Sequence, residues 1–143
     1  MNITKNIPAL IVTAFVVGGV GVALSKLGGP STRSTVVDVT VPNLSQDAKR
    51  GQKVFAENCA TCHGENASGT DQGPPLIHNI YNPGHHADAS FFLAVKRGVR
   101  SHHWPYGDMP PQPHVKERQV ANIITYVREL QTANGIVYRK HQM

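Results

Sequence analysis

The chain opens with a long apolar segment, and helical patterns of apolar and polar positions appear only later. Residues 7–24 are almost wholly apolar, and no charged residue lies between positions 6 and 25. A membrane-spanning helix needs about 17–25 such residues, whereas the apolar part of a secretory signal has about 7–15. The length therefore predicts an uncleaved N-terminal transmembrane anchor over residues 1–27. A cleavable signal peptide that ends near Gly21-Val22-Ala23 is the alternative.

The clearest helical pattern lies near the other end of the chain. Apolar residues recur there at positions i, i+3, i+4 and i+7, namely Val120, Ile123, Ile124, Val127 and Leu130. This spacing is typical of an amphipathic helix with one buried face. It predicts a helix over residues 120–130, which Asn134-Gly135 would terminate.

Two shorter helices are predicted before this one. Asp47 is expected to cap a polar helix that starts at residue 48, and Asp88 is expected to cap a helix over residues 89–97. Gly98 follows the second helix, at the position where glycine often ends helices. Between the helices no segment has a clear strand pattern, so we expect an all-α fold with long loops.

Residues 28–45 separate the apolar segment from these helices. The segment begins Gly-Gly-Pro-Ser-Thr and contains Pro42, a composition that predicts a flexible or extended tether. Residues 36–41 alternate partly, as a strand would, but no second strand is evident. An extended tether, or an edge that lies on a partner, is therefore favoured. Residues 46–143 would then form one small domain.

The most specific motif is Cys59-Ala60-Thr61-Cys62-His63, which has the C-x-x-C-H pattern of covalent haem attachment. Each thiol can add to one porphyrin vinyl group, and the histidine can supply an axial nitrogen to the iron. A thioredoxin-like site would need a βαβ context, and a zinc site would need two further ligands at suitable spacing. Neither context is present. The motif therefore predicts one haem c, bound through the only two cysteines of the chain.

The order of motifs resembles that of class I c-type cytochromes, from residue 47 to residue 133. The shared elements are Gly51 and Phe55, the C-x-x-C-H motif, Gly73-Pro74-Pro75-Leu76, Gly107-Asp108-Met109-Pro110-Pro111 and the last helix. The resemblance implies three to four helices and long loops around one covalent haem. It also implies that the helix bearing Gly51 and Phe55 crosses the last helix at Tyr126.

The resemblance further implies the axial ligands. His63 would be the proximal ligand, and the carbonyl of Pro74 would accept a hydrogen bond from its other ring nitrogen. Met109 would be the distal ligand. A methionine thioether stabilises ferrous iron, so His/Met ligation raises the reduction potential. The alternatives for the distal ligand are His102, His103 and His114.

Two further side chains are candidates for the haem propionates. The Trp104 N–H could donate a hydrogen bond to one propionate, or the ring could serve only to pack its loop. Arg97, like Arg100, could neutralise a propionate, or could simply lie in solvent at a helix end. The adjacent pair His85-His86 is a poor candidate for a metal site by itself, because such sites recruit three or four ligands.

The net charge and the expected compartment limit which classes of partner the protein can bind. The formal net charge is +5 and the pI is about 9.5, so we expect redox partners with acidic docking surfaces. The basic residues cluster in two groups, Lys49, Arg50 and Lys53, and Lys96, Arg97 and Arg100. Because bacterial haem attachment to this motif occurs outside the cytoplasm, the haem domain is expected on the periplasmic side of the inner membrane. That compartment excludes nucleic acid.

Together these features predict a membrane-anchored monohaem c-type cytochrome, which is not itself an enzyme. It would transfer single electrons between membrane redox complexes such as a quinol–cytochrome c oxidoreductase, a terminal oxidase, a photosynthetic centre or a dehydrogenase. The alternative is a haem c subunit that is permanently bound in such a complex. An open-iron haem enzyme or gas sensor is the third class, and Met109 argues against it because it would fill the second axial site.

Overall fold

The computed structural model describes residues 35–140, and this part of the chain is helical. Its elements are α1 (Gln46–Asn58), α2 (Ala60–His63), α3 (Asp88–Arg97) and α4 (Glu117–Ala133), with 3₁₀ turns at Glu65–Ala67 and Asn79–Tyr81. No strand occurs among the described residues, so the all-α prediction is confirmed for them. None of their helices is long and apolar enough to cross a membrane. The anchor predicted over residues 1–27 lies outside the described residues.

The N-terminal caps differ from the predicted ones. Ser45 rather than Asp47 caps α1, because the Ser45 hydroxyl accepts the Ala48 N–H at 3.2 Å and satisfies one of the free donors of the first turn. Helix α3 begins at Asp88 itself, after Ala87, which provides no side-chain cap. The Asp88 carboxylate instead pairs with the Arg128 guanidinium of α4 at 2.9 Å. Tertiary pairing has therefore replaced local capping at this position.

Helix α4 is longer at both ends than its apolar stripe. At the start, the Gln119 side chain accepts the Lys116 N–H at 2.9 Å, which stabilises a first turn with no apolar residue. At the end, Asn134 is the C-cap, as predicted, and its side chain donates to the Leu130 carbonyl at 2.8 Å. The apolar period thus located the buried face of the helix, and polar side chains set its ends.

Helices α1 and α4 cross at a glycine. A Cβ atom added at Gly51 would lie only 2.0 Å from the carbonyl oxygen of Asn122, so no larger residue fits without moving a helix. One turn further along, the rings of Phe55 and Tyr126 meet edge to face, with centroids 5.7 Å apart. Both rings are almost fully buried. The crossing implied by the resemblance is therefore present, and Gly51 itself faces the backbone of Asn122 and Ile123.

The segment before α1 is extended and lies on the domain. The Val37 N–H donates to the Ser68 carbonyl at 2.9 Å. The Thr40 backbone bonds the Asn134 side chain in both directions, at 2.9 and 2.8 Å. Leu44 is part of the buried core. From Val37 onward, this part of the predicted tether is therefore attached to the domain.

A polar cluster on α4 holds the middle of the chain in place. Arg128 donates to the carbonyl of Tyr81 at 2.8 Å and to that of His86 at 2.5 Å, in addition to its bond with Asp88. The buried Gln131 accepts a further Arg128 N–H at 2.6 Å. Arg128 is only partly exposed, and these bonds satisfy most of its donors, as the burial of a charged group requires. Arg128 therefore fixes the loop that precedes α3 against α4.

Candidate functional site

A deep apolar cleft lies between the C-x-x-C-H motif and the loop that follows α3. Its volume is about 430 Å³, within the range of sites for small molecules and cofactors. Its apolar wall consists of Phe55, Leu76, Phe91, Leu93, Val95, Val99 and Ile123. Cys59, His63, Pro74, Trp104 and Met109 also line the cleft. Five of the seven predicted cofactor residues are thus brought to one cavity.

The haem-binding motif occupies a tight corner between α1 and α2. Cys59 departs from helical geometry while its N–H still bonds the Phe55 carbonyl at 2.8 Å. Cys62 is exposed and is not among the residues that line the cleft. Its carbonyl accepts the Thr70 hydroxyl at 2.6 Å, and a Cβ atom at Gly73 would lie 2.8 Å from the same oxygen. The following loop therefore packs directly on the motif and holds it rigidly.

The two thiols lie in different surroundings. Burial, with a smaller contribution from Cys62, raises the pKa of the Cys59 thiol to about 11. Because the thiolate is the reactive form of cysteine, free Cys59 is a poor nucleophile near neutral pH. This environment does not favour a thiol that exchanges disulfides.

His63 is oriented by the loop that begins at Gly73. Its Nδ1 lies 2.9 Å from the Pro74 carbonyl oxygen. A carbonyl can only accept, so Nδ1 carries the proton and donates, and Nε2 keeps its lone pair. Burial lowers the pKa of His63, and the Pro74 carbonyl opposes this shift in part. The ring is thus held as a neutral imidazole with one nitrogen available to a metal.

Met109 is positioned by a pair of backbone bonds that the sequence did not reveal. Met109 and Val99 exchange two N–H···O bonds of 2.9 Å, which form an isolated antiparallel bridge. Gly98 has a φ of +75°, and a Cβ atom there would lie 2.4 Å from the Met109 carbonyl oxygen. The Gln112 N–H also bonds the Val95 carbonyl at 2.7 Å. The end of α3 therefore holds the Met109 loop at the cleft.

Trp104 presents a buried donor without an acceptor. Its Nε1 atom has no hydrogen-bond partner among residues 35–140. Burial is the main cause that raises the pKa of the nearby Tyr81 hydroxyl to about 12. The Trp104 side chain lowers this pKa in part. A buried N–H that lacks an acceptor is costly unless a ligand supplies one. Arg97, in contrast, is exposed and is not among the cleft residues.

Three histidines were alternatives to Met109 as the distal ligand, and they differ in whether they line the cleft. His102 and His103 line the cleft. His114 does not, and its Nε2 lies 2.9 Å from the Asn58 side-chain oxygen. His86 also lines the cleft, and burial, more than the neighbouring imidazoles, lowers the pKa of both His86 and His103. Both shifts favour the uncharged form of the His86 and His103 rings near neutral pH.

Haem c fits this set of residues. The cavity is apolar and is lined by Cys59 of the C-x-x-C-H motif, His63 offers a free Nε2 atom, and Trp104 offers an unused N–H to an anionic edge. The family model described as cytochrome c matches residues 48–131. The chain therefore belongs to the cytochrome c family. It is a class I c-type cytochrome, an electron-transport protein with one haem c attached through Cys59 and Cys62.

The similar curated proteins are named as subunits of Cbb3-type cytochrome c oxidases. The chain is 33% identical over 87 residues to the Cbb3-type cytochrome c oxidase subunit CcoP of Rhodobacter capsulatus, covering 58% of this chain and 29% of that protein. It is also 52% identical over 31 residues to the subunit FixP of Azorhizobium caulinodans, covering 22% of this chain and 11% of that protein. The chain thus spans less than a third of the length of these relatives. No solved structure matches it significantly.

Proposed function

We propose that this chain is a membrane-anchored cytochrome that carries single electrons between membrane redox complexes on the periplasmic side of a bacterial inner membrane. In this proposal residues 1–27 are the anchor, residues 28–45 the tether and residues 46–143 the haem domain. The observation that carries it is the meeting of Cys59, His63 and Met109 around one apolar cleft. A haem bound there would have a ligand for each axial position.

His63 and Met109 suit electron transfer because the protein's own hydrogen bonds position both residues for the haem. The His63 ring is fixed by the Pro74 carbonyl, and the Met109 backbone is fixed by its bridge to Val99. His63 and Met109 would together hold the iron and leave no position open for oxygen or substrate, so we propose that the chain itself is not a catalyst. The Met109 thioether would raise the potential, as His/Met ligation does in cytochromes c.

The docking surface is proposed to be basic. Lys49 and Lys53 are exposed on α1, whereas Arg50 pairs with Asp47 on the same helix and its charge is partly compensated. Lys96, Arg97 and Arg100 are exposed around the end of α3, where Val99 lines the cleft. The second group lies next to a cleft wall and is therefore the stronger candidate for contact with an acidic partner.

A second candidate is a fixed haem subunit of a terminal oxidase. It is favoured by the relatives, which are named as oxidase subunits. The attachment of the segment from Val37 onward to the domain also favours it, because it shortens the free part of the tether. In this arrangement the tether would position the haem rather than let it diffuse between partners.

One experiment separates the candidates. The full chain is expressed in a bacterium with its haem-attachment machinery, and the membranes are solubilised in mild detergent. A carrier should purify alone and exchange electrons with added membranes at a rate that falls with salt, because exposed charges are screened. A fixed subunit should purify in constant ratio with oxidase polypeptides. A ferric haem that is high-spin and binds carbon monoxide freely when reduced would contradict both, because the iron would then be open.

A further inference from the structure

Four histidines gather at the rim of the haem cleft from two loops that flank α3. His85 and His86 precede the helix, and His102 and His103 follow it. His85 and His103 are 18 residues apart in the chain, yet their Nε2 atoms lie 3.3 Å apart. The ring centroids of His86 and His103 are 5.3 Å apart. Helix α3 thus converts two separate His-His pairs into one cluster.

We propose that His85, His86 and His103 bind one divalent transition-metal cation of the kind that imidazole suits, such as Zn²⁺ or Cu²⁺. One ring nitrogen from each of the three lies within 4.8 Å of the other two. Imidazole is a preferred ligand of both ions, and three protein ligands with one open position are a common set for zinc. A water molecule would complete the coordination.

The distances fit such a site with little movement. Two nitrogens that bind one tetrahedral zinc at about 2.0–2.1 Å are separated by about 3.3–3.4 Å. The His85 and His103 nitrogens already have this separation, at 3.3 Å. No separation among the three nitrogens exceeds 4.8 Å, so none would have to shorten by more than about 1.5 Å, which a rotation of side chains at the surface can supply.

His86 has the supporting contacts of a metal ligand. Its Nδ1 lies 2.7 Å from the Ile80 carbonyl oxygen, so Nδ1 carries the proton and Nε2 is free to bind. Metal-binding histidines commonly donate their second nitrogen to a carbonyl in this way. Arg128 also holds the His86 carbonyl at 2.5 Å, which anchors the backbone of the site to α4. The ring is therefore oriented even without an ion.

A bound cation would act on the haem. His86 and His103 line the haem cleft as well as the cluster, so the ion would lie beside the cofactor. A nearby positive charge opposes the additional positive charge of ferric iron, and this repulsion falls with distance and with exposure to water. Metal binding should therefore shift the haem potential to a more positive value, which supplies a readout independent of the binding measurement.

The test uses the full-length holocytochrome in detergent, freed of metals by a chelator and titrated with Zn²⁺. We expect one Zn²⁺ per haem by calorimetry and metal analysis, and a positive shift of the potential on loading. His85→Gln and His103→Gln should each weaken Zn²⁺ binding at least about tenfold, since even changes beyond the ligands cost that much. The matched control is His114→Gln, which removes a histidine outside the cluster and should leave the affinity unchanged.

X-ray absorption of the Zn²⁺-loaded parent provides a check that needs no variant. The proposal requires three imidazole nitrogens at about 2.0–2.1 Å from the ion. Failure to bind one equivalent of Zn²⁺, or a shell without three imidazoles, would overturn it, and the cluster would then be a hydrogen-bonded group of neutral rings. Equal weakening in the His114→Gln control would also overturn it, because the ion would then lie elsewhere.

Discussion

The two walls of the haem cleft differ in how many backbone hydrogen bonds hold their loops. On the proximal side, the Gly69 N–H binds the loop after His63 to the motif through the His63 carbonyl at 2.6 Å, and bonds within the loop, such as Leu76 N–H to the Ala67 carbonyl at 2.9 Å, hold it together. On the distal side, the loop that carries Met109 is attached mainly through its bridge to Val99.

The distal wall is therefore expected to open more readily than the proximal wall. Segments with few buried contacts unfold locally at low free-energy cost. Ser101, His102 and His103 are exposed in this loop, whereas Gly69, Gly73 and Leu76 on the proximal side are buried. If both side chains bind the iron as proposed, ligand exchange should occur at Met109 while His63 stays bound. Four predictions test this difference, beginning with the largest expected effect.

Loss of the proximal ligand should have the most severe consequence. His63→Ala should leave some thioether attachment at Cys59 and Cys62 but a misligated iron, and most of the holoprotein should be lost because ligation is coupled to folding. The yield of covalent haem and the low-spin absorbance measure this. His114→Ala is the control, since that ring lies outside the cleft. A normal yield with an unchanged spectrum would remove His63 as the proximal ligand.

Loss of the distal ligand should spare the fold and open the iron. Met109→Ala should lower the potential, abolish the red-edge absorbance band of Met–iron ligation and allow carbon monoxide to bind, because the thioether favours ferrous iron. His102→Ala and His103→Ala are the comparison variants, since both rings also line the cleft. If a histidine variant opens the iron and Met109→Ala does not, Met109 is only a packing residue.

Two glycines of the distal loop separate backbone strain from steric contact. Gly98→Ala and Gly107→Ala both place a side chain at positive φ, +75° and +86°, which costs about 1–3 kcal/mol. Only at Gly98 does the new Cβ atom approach the Met109 carbonyl, whereas at Gly107 no atom of the described part of the chain lies within 4 Å of it.

Gly98→Ala should therefore destabilise the protein more than Gly107→Ala, and should also weaken the Met–iron absorbance band. Denaturant unfolding gives the difference in free energy, and the spectrum shows whether the distal wall alone has moved. Equal losses in both variants, with the band intact, would mean that the bridge to Val99 does not position Met109.

Surface charge should have the smallest effect, confined to encounters with partners. Reversal of the group at the end of α3 to Glu should slow electron transfer to membranes at low salt more than reversal of the α1 group. The group at the end of α3 is Lys96, Arg97 and Arg100, and the α1 group is Lys49, Arg50 and Lys53. Such charges act mainly on association rates. Rates unchanged by either reversal would favour the fixed-subunit candidate.

Features that depend on neighbouring residues were accessible from the sequence. The C-x-x-C-H motif specifies covalent haem through residue types at fixed short spacing, and the period of apolar residues located the buried face of α4. The caps were predicted less well, because Ser45 and Asp47 are both good capping residues and Asp88 is drawn to Arg128 by a contact 40 residues away.

The tertiary structure decided the features that join distant parts of the chain. The sequence marked Met109, Trp104 and the histidine pairs as candidates, but not the Val99–Met109 bridge or the meeting of His85 with His103. Neither follows from local pattern, because each depends on how α3 reverses the chain and how Arg128 holds the preceding loop. Periodicity and motif chemistry act over a few residues, whereas packing between distant segments determines which side chains share a cavity.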